Sequence, residues 1–243
     1  MEPYYHDVSS GNNNDFARDK TMLTVHHLNN SRSQRVLWML EELGVDYEIA
    51  RYQRNPKTLL APQELRAIHP LGKSPVVTDG PHTLAESGAI LEYLVERYGE
   101  GRFVPPAGTP EHWRYRYWMH YSEGSAMPPL LLKLVAGRIA KAPVPFFMKF
   151  VTRKIANSLQ DGFIDPQLAL HFGYIAEELK HTGWFAGKEF TAADIQMSFP
   201  VESAVARAGA GEHPSIRAFL ERIHARPAYQ RALARGGDNT PLS

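Results

Sequence analysis

The chain has 243 residues, enough for one large domain or two small ones. Lys plus Arg is 27 against Asp plus Glu 26, an even balance that gives no support to nucleic acid or an anionic membrane as partner. Cysteine is absent, which excludes disulfides, a thiolate metal site and a protein thiol nucleophile.

Residues 1–20 read as a tail, turn-rich through Gly11-Asn12-Asn13-Asn14-Asp15 and without periodicity. Residues 22–28 alternate well enough for a strand. Adjacent His26 and His27 then point to opposite faces and cannot share a metal. Asn29-Asn30-Ser31 is a loop, and Ser31 or Ser33 is placed to cap a helix over 34–43. Val36, Leu37, Leu40 and Leu43 form its stripe, and Gly44 ends it. Residues 47–52 read as a second strand, 54–58 as a polar loop, and 61–68 as a short helix with Pro62 at its start. Gly72 and Pro75 bracket the approach to a short strand over 76–78. Asp79-Gly80 signals a hairpin into a second short strand over 83–85. Ser87 then opens a helix carrying Ile90, Leu91, Leu94 and Val95 at helical spacing.

This order, βαβα then ββα, makes the first strand pair parallel through a crossover and the last pair a hairpin. It is the order of a thioredoxin-like domain, placed over residues 21–100. A linker rich in Gly and Pro follows over 101–110. From 111 to 243 strand signals vanish, so the fold class is an α/β domain followed by an all-helical one. Trp113, Tyr115, Tyr117, Trp118 and Tyr121 start a long aromatic helix, which Pro128-Pro129 must kink or break. Residues 141–145 interrupt again, and separate helices follow over 146–158 and 166–180. Thr191 and Asp194 form a capping box. Helices over 214–226 and 227–235 finish the bundle. No apolar run is long enough to cross a membrane and no signal-peptide core opens the chain, so a cytoplasmic location is expected.

The chemistry concentrates around Ser74-Pro75 and Glu86-Ser87. A proline directly before a strand is either a trans edge residue or a cis turn. In the cis form the backbone of Ser74 faces outward, free to pair with an extended ligand. Glu86 and Ser87 stand at a helix N-terminus, where free N–H groups suit a carboxylate. Together these features suit a small peptide with a free acid end; the competing reading is a plain turn followed by a Ser N-cap. No Walker A, G-x-G-x-x-G or H-E-x-x-H motif is present. Ala85-Glu86-Ser87-Gly88-Ala89 faintly resembles a nucleophile elbow, but the strand before it is too short for a hydrolase.

Lys73-Ser74-Pro75 and Glu86-Ser87 resemble the glutathione site of the glutathione S-transferase family, and the resemblance extends over residues 22–235. Ser122-Glu123-Gly124-Ser125, Pro128-Pro129 and the stretch from Asp194 to Pro200 are most similar to its fungal-type branch and bacterial relatives. The resemblance implies an enzyme that takes glutathione as co-substrate and needs no metal. It would transfer the thiol to a small electrophile or reduce a peroxide, and it would act as a homodimer. It implies that Ser74 pairs through its backbone with the cysteinyl part, that Glu86 and Ser87 hold the γ-glutamyl end, and that Lys73 reaches a ligand carboxylate. The thiol-activating donor would lie in the loop after the first strand. Counted back from Gly44, the serine of the insect- and plant-type branches falls on Asn30, with Ser31 one residue on. Ser31 and Asn30 are therefore taken as a catalytic pair, against the alternative that Ser31 only caps the helix. Arg32 and Arg35 are open to ligand binding or to plain solvation. Tyr117 and Tyr121, four apart on one face, are assigned to the electrophile pocket. Asn30 at the usual serine position keeps a non-catalytic binding module of the same fold as the second reading.

Overall fold

The computed structural model describes residues 22–237 apart from 57 and 59, so the tail expected over 1–20 and the last six residues lie outside it. The alternating stretch becomes β1 (Leu23–Leu28), and the Val36-Leu37-Leu40-Leu43 stripe becomes α1 (Ser33–Leu43). Gly44 closes α1 in the left-handed region at φ 70°, where its N–H meets the Leu40 carbonyl. β2 (Tyr47–Tyr52), β3 (Val76–Asp79) and β4 (His82–Ala85) complete one sheet in the order β2-β1-β3-β4. β1 and β2 are parallel with Leu23 opposite Tyr47; β3 runs antiparallel to both β1 and β4, with His26 opposite Val76. α3 (Ser87–Tyr98) follows, so the α/β half has the expected connectivity.

The short helix expected over 61–68 is one turn, α2 (Leu65–Ile68). Pro62 lies before it in a tighter turn, where Arg66 N–H donates to the Gln63 carbonyl at 2.9 Å. His69 ends it in an extended conformation, as the residue before Pro70 must be.

The helical half contains α4 (Pro110–Tyr121), α5 (Met127–Ala140), α6 (Lys149–Leu159), α7 (Asp165–Thr182), α8 (Ala192–Ala208), α9 (Pro214–His224) and α10 (Pro227–Gly236). Pro128-Pro129 does not break the aromatic helix. α4 passes into α5 through a π-helical turn, Ser122–Ala126, closed by Met127 N–H on the Ser122 carbonyl. The wider turn ends one residue before Pro128, so the prolines sit at the start of α5, where their missing N–H groups cost least. α6 and α7 are joined the same way through Gln160–Ile164, with Pro166 just beyond, so the two helices expected separately are continuous. Thr191 and Asp194 form the capping box on α8. The buried Asp194 carboxylate accepts from the N–H groups of Thr191 at 2.7 Å and Phe185 at 2.8 Å.

α1 is the seam between the halves: it packs on α3, α8 and α10. Trp38 is buried there, edge-on to Tyr229 with ring centroids 5.0 Å apart. Glu42 receives Arg226 at 2.5 Å and 2.9 Å, fastening α10 to the other side of the same helix.

Candidate functional site

The ends of β1, β3 and β4 and the start of α3 meet in one open cleft. It is lined by Arg32, His69, Lys73, Ser74, Pro75, Glu86 and Ser87 from the α/β half and by Glu123 from the π-helical turn. The Ser74-Pro75 bond is cis. The Ser74 hydroxyl fixes this corner to β1: it donates to the His26 carbonyl at 3.0 Å and accepts from Leu28 N–H at 3.3 Å.

Ser31 lies directly beside it. Its hydroxyl is 3.3 Å from the Ser74 hydroxyl and 2.7 Å from that of Ser33. It also accepts Ser33 N–H at 3.2 Å, a local turn bond at the start of α1, whose N-cap position is Arg32. Ser33 continues inward to His27 Nδ1 at 2.9 Å. The result is a buried row of Ser31, Ser33 and His27 ending in an imidazole. Burial, then the charge of Arg51, lowers the His27 pKa, while the Gly236 carbonyl opposes the shift. Sequence reasoning placed His26 and His27 on opposite faces and set both aside. The faces are as expected, with His26 on Tyr52 at 3.0 Å, but His27 reaches the site through Ser33. The signal was the six-residue step from His27 to Ser33 across a strand end and a helix start.

Asn30 adjoins the cleft at φ 51° and Glu86 borders it at φ 70°. They are two of four non-glycine residues with positive φ among the described residues. Such conformations cost about 1–3 kcal/mol each and concentrate at ligand sites. The Asn30 side-chain oxygen is buried without a hydrogen-bond partner among the described residues. Glu86 is exposed, and Ser87 is buried at the start of α3, where the first N–H groups lack intrahelical partners.

Arg35 is neither solvated nor a lining residue. It is 2% exposed and donates to the Ser87 hydroxyl at 2.7 Å, to Glu123 at 2.6 Å and to the Gln196 carbonyl at 2.6 Å. Burial pulls its pKa down to about 10, and Glu123 opposes that. Arg32 also meets Glu123, at 3.0 Å, but from the cleft side. The π-helical turn explains why Glu123 and Ser122 reach α1, since both belong to the extra-wide turn between α4 and α5.

Tyr117 and Tyr121 share a face as expected, with ring centroids 5.4 Å apart, but that face points to α7. Tyr121 bonds His171 at 2.6 Å, and its ring lies 5.9 Å from that of Tyr174. Glu123, two residues further, takes the opposite side and lines the cleft. Tyr117 and Tyr121, expected at the electrophile pocket, pack in an aromatic cluster between α4 and α7 and are not among the residues lining the cleft around Ser74 and Glu86.

The model of the glutathione S-transferase N-terminal domain matches residues 20–96, and that of the C-terminal domain matches 164–227. The chain is 38% identical over 221 residues to glutathione S-transferase 3 of Schizosaccharomyces pombe, covering 90% of each. A glutathione S-transferase structure from Actinobacillus pleuropneumoniae superposes at TM-score 0.74 with 34% identity, covering 90% of this chain and 95% of that one. A glutathione transferase of Phanerochaete chrysosporium, solved with oxidized glutathione, shares the fold at TM-score 0.70 and 20% identity, over 90% of this chain and 97% of that one.

Proposed function

The chain belongs to the glutathione S-transferase family, and we propose that it binds glutathione in the cleft and activates its thiol for transfer to a small electrophile. The observation that carries this reading is the adjacency of Ser31 to Ser74, 3.3 Å apart through their hydroxyls. The Ser74 side chain is what ties that corner to β1, which leaves its backbone to the cysteinyl part of the ligand. The sulfur then comes to rest beside Ser31. Glu86 and the α3 N-terminus at Ser87 take the ammonium and carboxylate of the γ-glutamyl end. Lys73, with His69 and Arg32 on the same rim, faces the glycine carboxylate.

The thiol must lose a proton near neutral pH, from an intrinsic value of about 8.5. Ser31 donates to the sulfur and favours the thiolate. The inner row orients that donor. When Nδ1 of His27 carries a proton it donates to Ser33, and Ser33 donates to Ser31. The one hydroxyl proton of Ser31, which otherwise points to Ser74, turns to the sulfur when the ligand is bound. Asn30 stands beside Ser31 as the second donor of the pair: its amide N–H can donate to the sulfur, though it cannot act as an acid or base. The thiolate attacks the electrophilic carbon, a carbon–sulfur bond forms, and the displaced group leaves with the bonding pair.

The working unit is a homodimer. Trp113 and Tyr117 on α4, with Leu170 and Tyr174 on α7, form an exposed apolar face suited to a self-complementary interface. Light scattering should give about twice the chain mass. Calorimetry with glutathione, followed by conjugation and peroxide assays on the same sample, tests the reading. Binding with turnover supports it; binding with no turnover would leave a ligand-binding module.

A further inference from the structure

The even charge of the whole chain hides a strongly uneven distribution. Between Glu123 and Asp161 there is no acidic residue, while Lys133, Arg138, Lys141, Lys149, Arg153 and Lys154 are all basic. Lys133 is neutralised by Asp165 at 2.6 Å. The other five are exposed, and none makes an ion pair among the described residues.

These cations surround the apolar tip of a helical hairpin. α5 ends at Ala140, Pro143 and Pro145 carry the chain over, and a short 3-10 turn, Phe146–Met148, leads into α6. Phe146 is 85% exposed, Phe147 67% and Phe150 73%. Met148, Val151 and Ile155 are also exposed. Phe150, Arg153 and Lys154 line one open groove with Asn157, Ser158 and Asp161, so aromatic and cationic groups share a face.

We propose that this tip docks on the surface of an anionic phospholipid bilayer. No helix among the described residues is long and apolar enough to cross a membrane, so the contact is peripheral. The phenylalanines enter the boundary between headgroups and acyl chains, and the lysines and arginines bind the phosphates above them. A second copy of the chain fits the tip poorly. Across a two-fold axis the same five cations would face one another, an arrangement that opposes association. Nucleic acid also fits poorly. Of the three phenylalanines only Phe150 lines the groove, which also carries the acidic Asp161, and Met148, Val151 and Ile155 offer nothing to bases.

The test is co-sedimentation of the full chain with vesicles of phosphatidylcholine alone or mixed with phosphatidylserine. Binding to the mixed vesicles only is expected. It should weaken as salt rises from about 0.1 M to 1 M and the screening length shrinks from about 10 Å to 3 Å. Combined Phe146→Ser, Phe147→Ser and Phe150→Ser should lower vesicle affinity at least about tenfold, with oligomeric state and glutathione affinity unchanged. Failure to bind the mixed vesicles at low salt would overturn the proposal, as would equal binding by the triple variant. Loss of the oligomer in that variant would assign the tip to a second copy instead. Retention of single-stranded DNA without vesicle binding would assign it to nucleic acid. None of these outcomes bears on the glutathione cleft, so this inference and the proposed activity fail separately.

Discussion

Arg35 and Glu123 are 88 positions apart in sequence and 2.6 Å apart across the seam between the two halves. Arg35 also holds the Ser87 hydroxyl at 2.7 Å, so one guanidinium joins the C-terminal helices to the start of α3 in the cleft. Glu123→Ala leaves a buried cation uncompensated and is expected to cost about 3 kcal/mol in chemical denaturation. Arg32, half-exposed on the same carboxylate, should cost under about 1 kcal/mol when changed to Ala. Equal losses for the two changes would contradict the assignment of Arg35 as the structural cation.

Glu86 is held at φ 70°, exposed at the edge of the cleft, and makes no ion pair among the described residues. If it receives the γ-glutamyl ammonium, Glu86→Ala should weaken glutathione binding by about 1.5–3 kcal/mol, the range for a hydrogen bond to a charged group. Calorimetry would reveal this directly. Unchanged affinity would remove Glu86 from the site.

The contribution of the buried histidines to stability should fall as pH drops below about 6.5. Burial lowers the folded pKa of His27 from 6.5, with Arg51 adding to the shift, and burial also lowers His26 and His171. At these histidines the unfolded chain binds more protons than the folded one, so their contribution rises with pH; buried Asp194, its carboxyl pushed up to about 6, contributes with the opposite sign below that pH. The histidine contribution is complete above 6.5 and is lost as pH falls toward the folded values. Denaturation midpoints across this range should slope less in His27→Gln. An identical slope would show that His27 titrates no differently in the fold.

The sheet and its connections were legible because each strand is short, alternating and closed by turn residues such as Gly44 and Asp79-Gly80. Ser74, Pro75, Glu86 and Ser87 were legible because they lie within one short stretch. Residues joined over long separations were not. Nothing near Arg35 announces Glu123 or the Gln196 carbonyl, and its burial depends on both. The two prolines at 128 and 129 signal an irregularity, but its form, a π-helical turn that swings Glu123 to α1, depends on what the helix packs against. Tyr117 and Tyr121 share a face by spacing alone; which neighbour that face meets is set by α7. The basic tip was hidden by a net charge summed over the whole chain.

The account rests on Ser31 as the donor that favours the thiolate. Ser31→Ala should lower turnover about 100- to 1000-fold, or about 2.7–4 kcal/mol, with glutathione affinity nearly intact. Asn30→Ala should show the same signature if its amide N–H is the donor instead. Ser33→Ala should cost less than Ser31→Ala, because it removes the group that orients Ser31 without removing the donor.

The most direct measurement is the pH titration of thiolate absorbance for glutathione bound to the parent protein and to Ser31→Ala. The parent should titrate well below the free thiol, and the variant should return toward the free value. A bound thiol that titrates like free glutathione in the parent protein would contradict the claim that this cleft activates it.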